Sequence, residues 1–432
     1  MVTDGPGVAV AVLLTPQGLN AVAAGATGTI IRLIRQARGW NQQELADRAG
    51  YSQATISRLE RGMSRAVRDT AVLTDIAHTL DVPPAVLGVA SDPEHRPILD
   101  NVDRRGFLGG AAGLAVTVLL PPAVMSPGRI DADDVTQCWS ALRRLFEMDD
   151  SHGGAATYQV AEEMARRLAD AVRRGTYTSS VGRELQNVTA ATMEHAGWLA
   201  YDARLPHKAR YWWLETCHLT DLAGVPDARI TALASMALQA SDTPGGGQET
   251  VYLARAARAT AGDGAIPILL LLLAAREAIG HAQAGDRNAA MSAFGRSREL
   301  LDQGRRGDEP FWLDFWGPAD LAWHEISAAL ATGQGALAES AARRALASVD
   351  AETFPRNHVL YASDLGLILI RRGQLDEAIA VTSGAIQRIT TARGSGRIVA
   401  RLNRTIDLLG QQNHPPAKIF ATAARRLLLA SP

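Results

Sequence analysis

Between Gln53 and Arg61 five side chains are spaced for one kind of chemistry. Projected at about 100° per residue, Gln53, Ala54, Ser57, Arg58 and Arg61 share an arc, and Ile56 and Leu59 fall opposite. A carboxamide can pair bidentately with the edge of adenine and a guanidinium with that of guanine, and small side chains let a helix come close to bases. The arc is therefore equipped to read a major groove. Arg65 and Arg68, just beyond, are placed for phosphate oxygens, which position a protein without specifying sequence; Gln42 could supply a similar contact.

The other chemically suggestive residues do not assemble into a reaction centre. His324-Glu325 is followed by Ala328 where a zinc-protease helix needs its second histidine. Cys217 and His218 are adjacent, so on a helix they point about 100° apart, a poor pair for metal or nucleophilic work. With only Cys138 besides, there is no disulfide framework and no four-thiolate zinc site. No phosphate-cradling Gly-Lys-Ser/Thr loop and no nucleophile elbow are found. No enzyme, cofactor or metal is expected.

The polar arc needs elements to hold it, and the local sequence supplies them. Asn41 with Glu44 three residues on is a capping-box pattern, and Trp40 and Leu45 are spaced for a hydrophobic staple. A helix is thus expected from Gln42 to Ala49, ended by Gly50. Ser52 caps a second helix, Gln53 to Arg61, which stops at Gly62. Two short helices joined around a glycine form the helix-turn-helix that can lay its second helix in a groove. The same pattern also serves as a packing unit in helical arrays, with arginines on a solvated face, and periodicity alone does not separate the two.

The particular residues favour the first. Gln42-x-x-Leu45-Ala46-x-x-x-Gly50-x-Ser52-x-x-x-Ile56-x-x-Leu59-Glu60-x-Gly62 resembles the Cro/repressor-type helix-turn-helix regulators, the XRE family, over about residues 29–88. The resemblance implies a five-helix, lambda-repressor-like domain at 28–90, with base reading carried over to Gln53, Ala54 and Arg58. It also implies a structural ion pair between an arginine of the first helix and a glutamate near the end of the recognition helix, places held here by Arg35 and Glu60. A fourth helix, Asp69 to Leu80, and the segment Val82 to Gly88 match the family's closing pattern. The domain departs from the pattern in having no lysine. Its eight arginines face six carboxylates, a balance of only +2, and the whole chain carries −1. Any DNA affinity must come from local charge.

The rest of the 432 residues divides by texture. Residues 1–27 hold one charged side chain, Asp4, and read as a disordered lead-in. The apolar run Val8 to Leu14 has no basic segment before it, so a secretory signal is not expected. Residues 91–130 read as a linker, with Asp92-Pro93, Arg96-Pro97 and Pro121-Pro122 as breakers. Within it Arg104-Arg105-Gly106-Phe107-Leu108 and the uncharged stretch to Met125 resemble a twin-arginine export signal, but they follow a folded domain, and Gly109, Gly110 and Gly113 weaken the stretch as a membrane helix. Interdomain packing is the expectation.

From 131 to 432 the sequence runs in Ala/Leu-rich segments of helical period, which makes the fold all-α. Leu365-Gly366-x-x-Leu369 with Gly373, Ala378, Thr382 and Ala385 has tetratricopeptide spacing. Looser copies follow Gly285-Ala290-Phe294, Gly333-Ala338-Ala342-Ala345 and Gly197-Ala209-Trp213, with Ala254 marking a weaker fifth. The expectation is a tetratricopeptide-like α-solenoid. His152-Gly153-Gly154, Gly197 through Asp202, and Arg356-Asn357 further resemble the helical region of actinobacterial XRE regulators. Trp198, Tyr201, Trp212, Trp312, Trp316 and Trp323 could line a wall for a peptide or small-molecule effector, or else fill gaps between helices.

The expected partners are double-stranded DNA, a second copy of the chain, and an effector in the helical domain. The expected location is the cytoplasm. The other readings are an interaction scaffold with a vestigial reader and a membrane-tethered sensor.

Overall fold

A computed structural model describes residues 26–62, 70–80 and 119–429, with breaks at 126–127, 225, 263, 306, 308–312, 314–315 and 393–394, besides scattered positions before 22 and between 82 and 116. The regular elements among the described residues are helices, and the one β-type contact is an isolated bridge between Arg129 and Thr176. The fold is all-α, as the periodicity predicts. The chain forms two compact units. One holds residues 1–101, 362–390 and 400–432, and the other holds 102–361 and 391–399.

In the first unit α1 (Thr27–Ala37), α2 (Gln42–Ala49), α3 (Gln53–Glu60) and α4 (Thr70–Thr79) surround one small core. Ile30, Ile31, Ile34, Leu45, Ile56, Leu59, Leu73, Ile76 and Leu80 are almost fully removed from water. Each such side chain contributes about 1.5–3 kcal/mol of transfer free energy, which is what holds helices this short in place. The caps form as the sequence predicts. Asn41 accepts from the Glu44 amide while Glu44 accepts from the Asn41 amide, Gly50 is left-handed at φ 74°, and Ser52 accepts from Thr55. The second motif helix ends one residue sooner than expected, with Arg61 as its C-cap and Gly62 left-handed. Of the segment expected to close the domain at 82–88 only Val82 and Leu87 are described, both buried; Asp69 at the head of the fourth helix lies outside the described residues, as do most of the lead-in and linker, Arg104 and Arg105 included.

The second unit is built from α5 (Ala132–His152), α6 (Gly154–Arg174), α7 (Ser179–Asp202), α8 (Pro206–Ala223), α9 (Asp227–Ser241), α10 (Gly247–Ala261), α11 (Pro267–Gln283), α12 (Arg287–Asp302), α13 (Pro318–Ala331) and α14 (Gly335–Ser348). Each helix packs on its sequence neighbour, and α7, α9, α11 and α13 also pack in succession, the pattern of stacked helical hairpins. The hairpins cross where side chains are smallest: Ala209, Ala254, Ala290 and Ala338 are buried on the second helix of each pair. At one crossing the backbones meet, because a Cβ on Gly280 or on Gly247 would lie 2.8 Å from the partner's backbone.

Between hairpins the stack carries buried carboxylates held by arginines. Glu277 of α11 takes Arg255 of α10 at 2.8 Å and Arg296 of α12 at 2.9 Å; Glu325 of α13 is clasped by Arg298 of α12 and Arg344 of α14. Two arginines for one desolvated carboxylate keep the buried charge compensated. The segments singled out around residues 152, 202 and 356 also meet. Arg356 pairs with Asp149 at 2.9 Å, and a Cβ on Gly154 would strike Asp202.

In the first unit, α15 (Pro355–Arg371), α16 (Leu375–Ala392), α17 (Gly396–Gln411) and α18 (Pro415–Leu429) contribute residues 362–390 and 400–432. Here Gly366 is required by contact, since a Cβ would lie 2.8 Å from Thr382 Oγ1 and 3.0 Å from Thr405 Cγ2. Gly373 turns left-handed between α15 and α16, and Ala378 beyond it is fully buried.

Of the two readings of the aromatic residues, burial favours the filling of gaps between helices. Tyr201, Trp212, Trp316 and Trp323 are buried among helices and fill the stack, and Trp198 is half-buried. Their spacing belongs to the packed face; Trp312 lies outside the described residues.

Candidate nucleic-acid interface

The helix that presents the polar arc is fixed from behind at three points. Its apolar side, Ile56 and Leu59, is buried in the small core. Its last turn lies directly against the start of α1, where a Cβ on Gly28 would come within 2.4 Å of the Leu59 carbonyl oxygen and 2.8 Å of that of Glu60. Only glycine permits that approach. The third point is electrostatic. Arg35 Nε donates to Glu60 Oε1 at 2.6 Å and its Nη2 donates to Oε2 at 3.1 Å, with both residues more than nine-tenths buried. Arg35 Nη1 also donates to the Trp40 carbonyl at 2.6 Å, so one guanidinium joins α1, the turn before α2, and α3.

From this ion pair a hydrogen-bond chain runs outward to the surface. Gln42 Nε2 donates to Glu60 Oε2 at 2.7 Å, and Gln53 Nε2 donates to Gln42 Oε1 at 2.7 Å. Gln53 is exposed at the head of α3. One of its two N–H groups is used in this chain, and the other N–H and Oε1 retain the donor and acceptor that adenine requires. Gln42, singled out for a phosphate contact, thus stands between Glu60 and Gln53. Its amide is half-buried and engaged at both ends.

The remaining members of the arc sit where the helical projection puts them. Ala54, Arg58 and Arg61 are exposed and Ser57 is partly so. Arg58 Nε donates to the Ala54 carbonyl at 3.0 Å and Arg61 Nε to that of Ser57 at 3.2 Å. Each bond engages Nε and one helix turn, and the Nη groups, which make bidentate contacts with guanine, are not part of it. Arg65 and Arg68 lie outside the described residues.

Sequence reasoning missed the role of Trp40. Instead of serving only as a staple, its ring takes two guanidiniums, Arg38 at 5.2 Å and Arg48 at 4.4 Å from the centroid, and Arg38 also donates to the Leu80 carbonyl at 3.0 Å. Clusters of basic and aromatic residues at positions 38, 40 and 48 were visible in the sequence, but the contact depends on how α1 and α2 meet. Tyr51, in the turn of the motif, donates to Asp75 Oδ2 at 2.6 Å and ties that turn to α4.

Elsewhere, no three of His, Cys, Asp and Glu come together as a metal site among the described residues, and no described helix is long and apolar enough to cross a membrane. Cys138 is buried, which pushes its thiol up to about 12. His324 is buried, donating or accepting at both ring nitrogens with the Asp320 carbonyl at 2.7 Å and Arg276 at 2.6 Å, and burial holds it well below the usual histidine range.

Among solved structures, the chain is similar to yeast Tom70, at 12% identity over 92% of this chain and 89% of that one with a TM-score of 0.28. It is also similar to a circular tandem repeat protein, at 13% identity over 99% and 96% of the two chains with a TM-score of 0.19. No curated protein matches it. A family model described as helix-turn-helix matches residues 31–87, the stretch that holds the Arg35–Glu60 pair and the exposed arc of α3. Those residues form a helix-turn-helix domain of the XRE type.

Proposed function

We propose that this chain is a sequence-specific DNA-binding transcriptional regulator that lays α3 in the major groove. The observation that carries the reading is the fixed presentation of Gln53 through Gln42 and Glu60, with Ala54 and Arg58 exposed and Ser57 partly exposed beside it. A helix anchored from behind by an ion pair and a glycine contact holds its base-reading atoms in register without further ordering on binding. The helix-turn-helix family match over residues 31–87 supports the same reading.

In this account Arg58 reads a base, Gln53 pairs with adenine, and Arg61, Arg65 and Arg68 position the backbone. The modest local charge suits a chain that binds as a dimer, so that two half-site contacts add on a palindrome. The helical array supplies a surface for the second copy or for an effector, and the protein works in the cytoplasm. Titration of labelled duplexes at increasing salt tests the core of this. Regulator behaviour requires affinity for one selected sequence well above that for unrelated DNA, with both falling as salt rises. The scaffold alternative requires no salt-dependent DNA binding at all.

A further inference from the structure

Away from the helix-turn-helix, α5, α7 and α9 of the second unit enclose a pocket with about 50 Å³ open to the centres of water-sized groups. One water needs about 10–15 Å³ on that measure, so the space takes a group of a few heavy atoms. Its walls are Trp139, Leu142 and Phe146 from α5, and its polar atoms come from Asn187 and Glu194 of α7 and Thr231 of α9. Behind it, His195 stacks on Phe146 with centroids 3.7 Å apart, and burial keeps that imidazole neutral.

Glu194 is the anomaly. Half-buried, it accepts a side-chain hydrogen bond from Ser235 Oγ at 3.0 Å, and no cation pairs with it among the described residues, whereas the buried Glu277 and Glu325 have two arginines each. Burial accordingly holds its carboxyl up at about 7. A carboxylate withdrawn in part from water is held at least cost when it is protonated or meets a cation. The cavity has room for that cation. Asp227, exposed at the rim, adds negative potential at the entrance.

We infer that this pocket binds a small alkylammonium group, with Glu194 as counter-ion, Asn187 and Thr231 accepting from the remaining N–H donors, and the Trp139 and Phe146 rings flanking the cation and its short chain. A metal ion fits less well, because no third acidic or imidazole ligand joins Glu194 and Asp227. An ammonium needs three acceptors and tolerates aromatic faces, which is the set this pocket provides. The inference stands apart from the DNA-binding reading, because none of these residues belongs to the helix-turn-helix.

The test is calorimetric titration of the full chain with propylammonium chloride, with potassium chloride at equal ionic strength and 1-propanol as controls. Saturable binding of propylammonium alone is expected. Glu194→Gln, which keeps the shape and removes the charge, should weaken it about tenfold or more. Ala191 of α7 also lines the pocket, and Ala191→Met fills it while leaving Glu194 in place and should abolish binding. An acetylated tripeptide with a central lysine, set against its acetyllysine form, distinguishes a free amine from a protein side chain as the source of the ammonium. Equal heats from potassium chloride would overturn the proposal. So would undiminished propylammonium binding by Glu194→Gln or, should that variant fail to fold, by Ala191→Met.

Discussion

Gln53 donates from Nε2 to Oε1 of Gln42 at 2.7 Å, and this contact links a surface residue of α3 to a buried ion pair two residues deep in the fold. It predicts a specific defect. Gln42→Ala should release the Gln53 amide and lower affinity for the preferred duplex about three- to tenfold, the equivalent of one ordinary hydrogen bond, while leaving unrelated duplexes nearly unaffected. Competition binding with both duplexes checks it. An equal loss on both would return Gln42 to the role of a phosphate contact.

The Arg35–Glu60 pair should be costly to break from one side. Arg35→Ala leaves Glu60 buried with only Gln42 as donor, a change worth about 3–5 kcal/mol, whereas replacing both partners by apolar residues of similar volume should cost much less. Hydrogen exchange at the amides of α1 and α3 in the full chain reads this locally. Protection that is unchanged in Arg35→Ala would show that the pair is dispensable.

Gly28 is constrained by contact rather than by its dihedral angles. Gly28→Ala should push α1 from the last turn of α3 and cost about 1–3 kcal/mol in spite of alanine's better helix propensity. The same exchange measurement, together with DNA affinity, should fall in step. A stabilised variant would mean that the two helices separate without penalty.

These features differ in how far they can be seen in the sequence. The caps at Asn41 and Ser52 and the left-handed Gly50 are local, set by residues within four positions, and so were legible. The alanines at 209, 254, 290, 338 and 378 were legible as well, because a helix crossing selects small residues at a repeating interval. The Gln42–Gln53 contact, the two guanidiniums on Trp40 and a Glu194 without a cation depend on how separate helices meet, which spacing does not encode. The aromatics show the converse: Trp212 and Trp316 have the spacing of a lined groove and of a packed core alike, and only their burial distinguishes the two.

Titration of Glu194 and Asp320 should leave a mark on stability. Burial holds both carboxyls at about 7, above their ordinary values of 4.5 and 3.8. A raised folded-state value means that the stabilisation is complete below about pH 4 and is lost as pH rises through 7. His195, lowered to about 3, and His324 act in the opposite sense, losing stability as pH falls below 6.5. The difference between Glu194→Gln and the natural chain isolates one group. The variant should gain relative stability between pH 5 and pH 8 in denaturant melts, and a difference that is flat with pH would contradict a raised carboxyl at Glu194.

The central claim is that α3 reads sequence through Gln53 and Arg58, and selection of bound duplexes from a random pool by the full chain tests it most directly. The natural chain should enrich one motif. Arg58→Ala should lose preference at one position of that motif, worth about 1–3 kcal/mol, while Arg61→Ala weakens binding with the motif intact. A natural chain that enriches no motif, or an Arg58→Ala variant that selects the same one unchanged, would contradict the account.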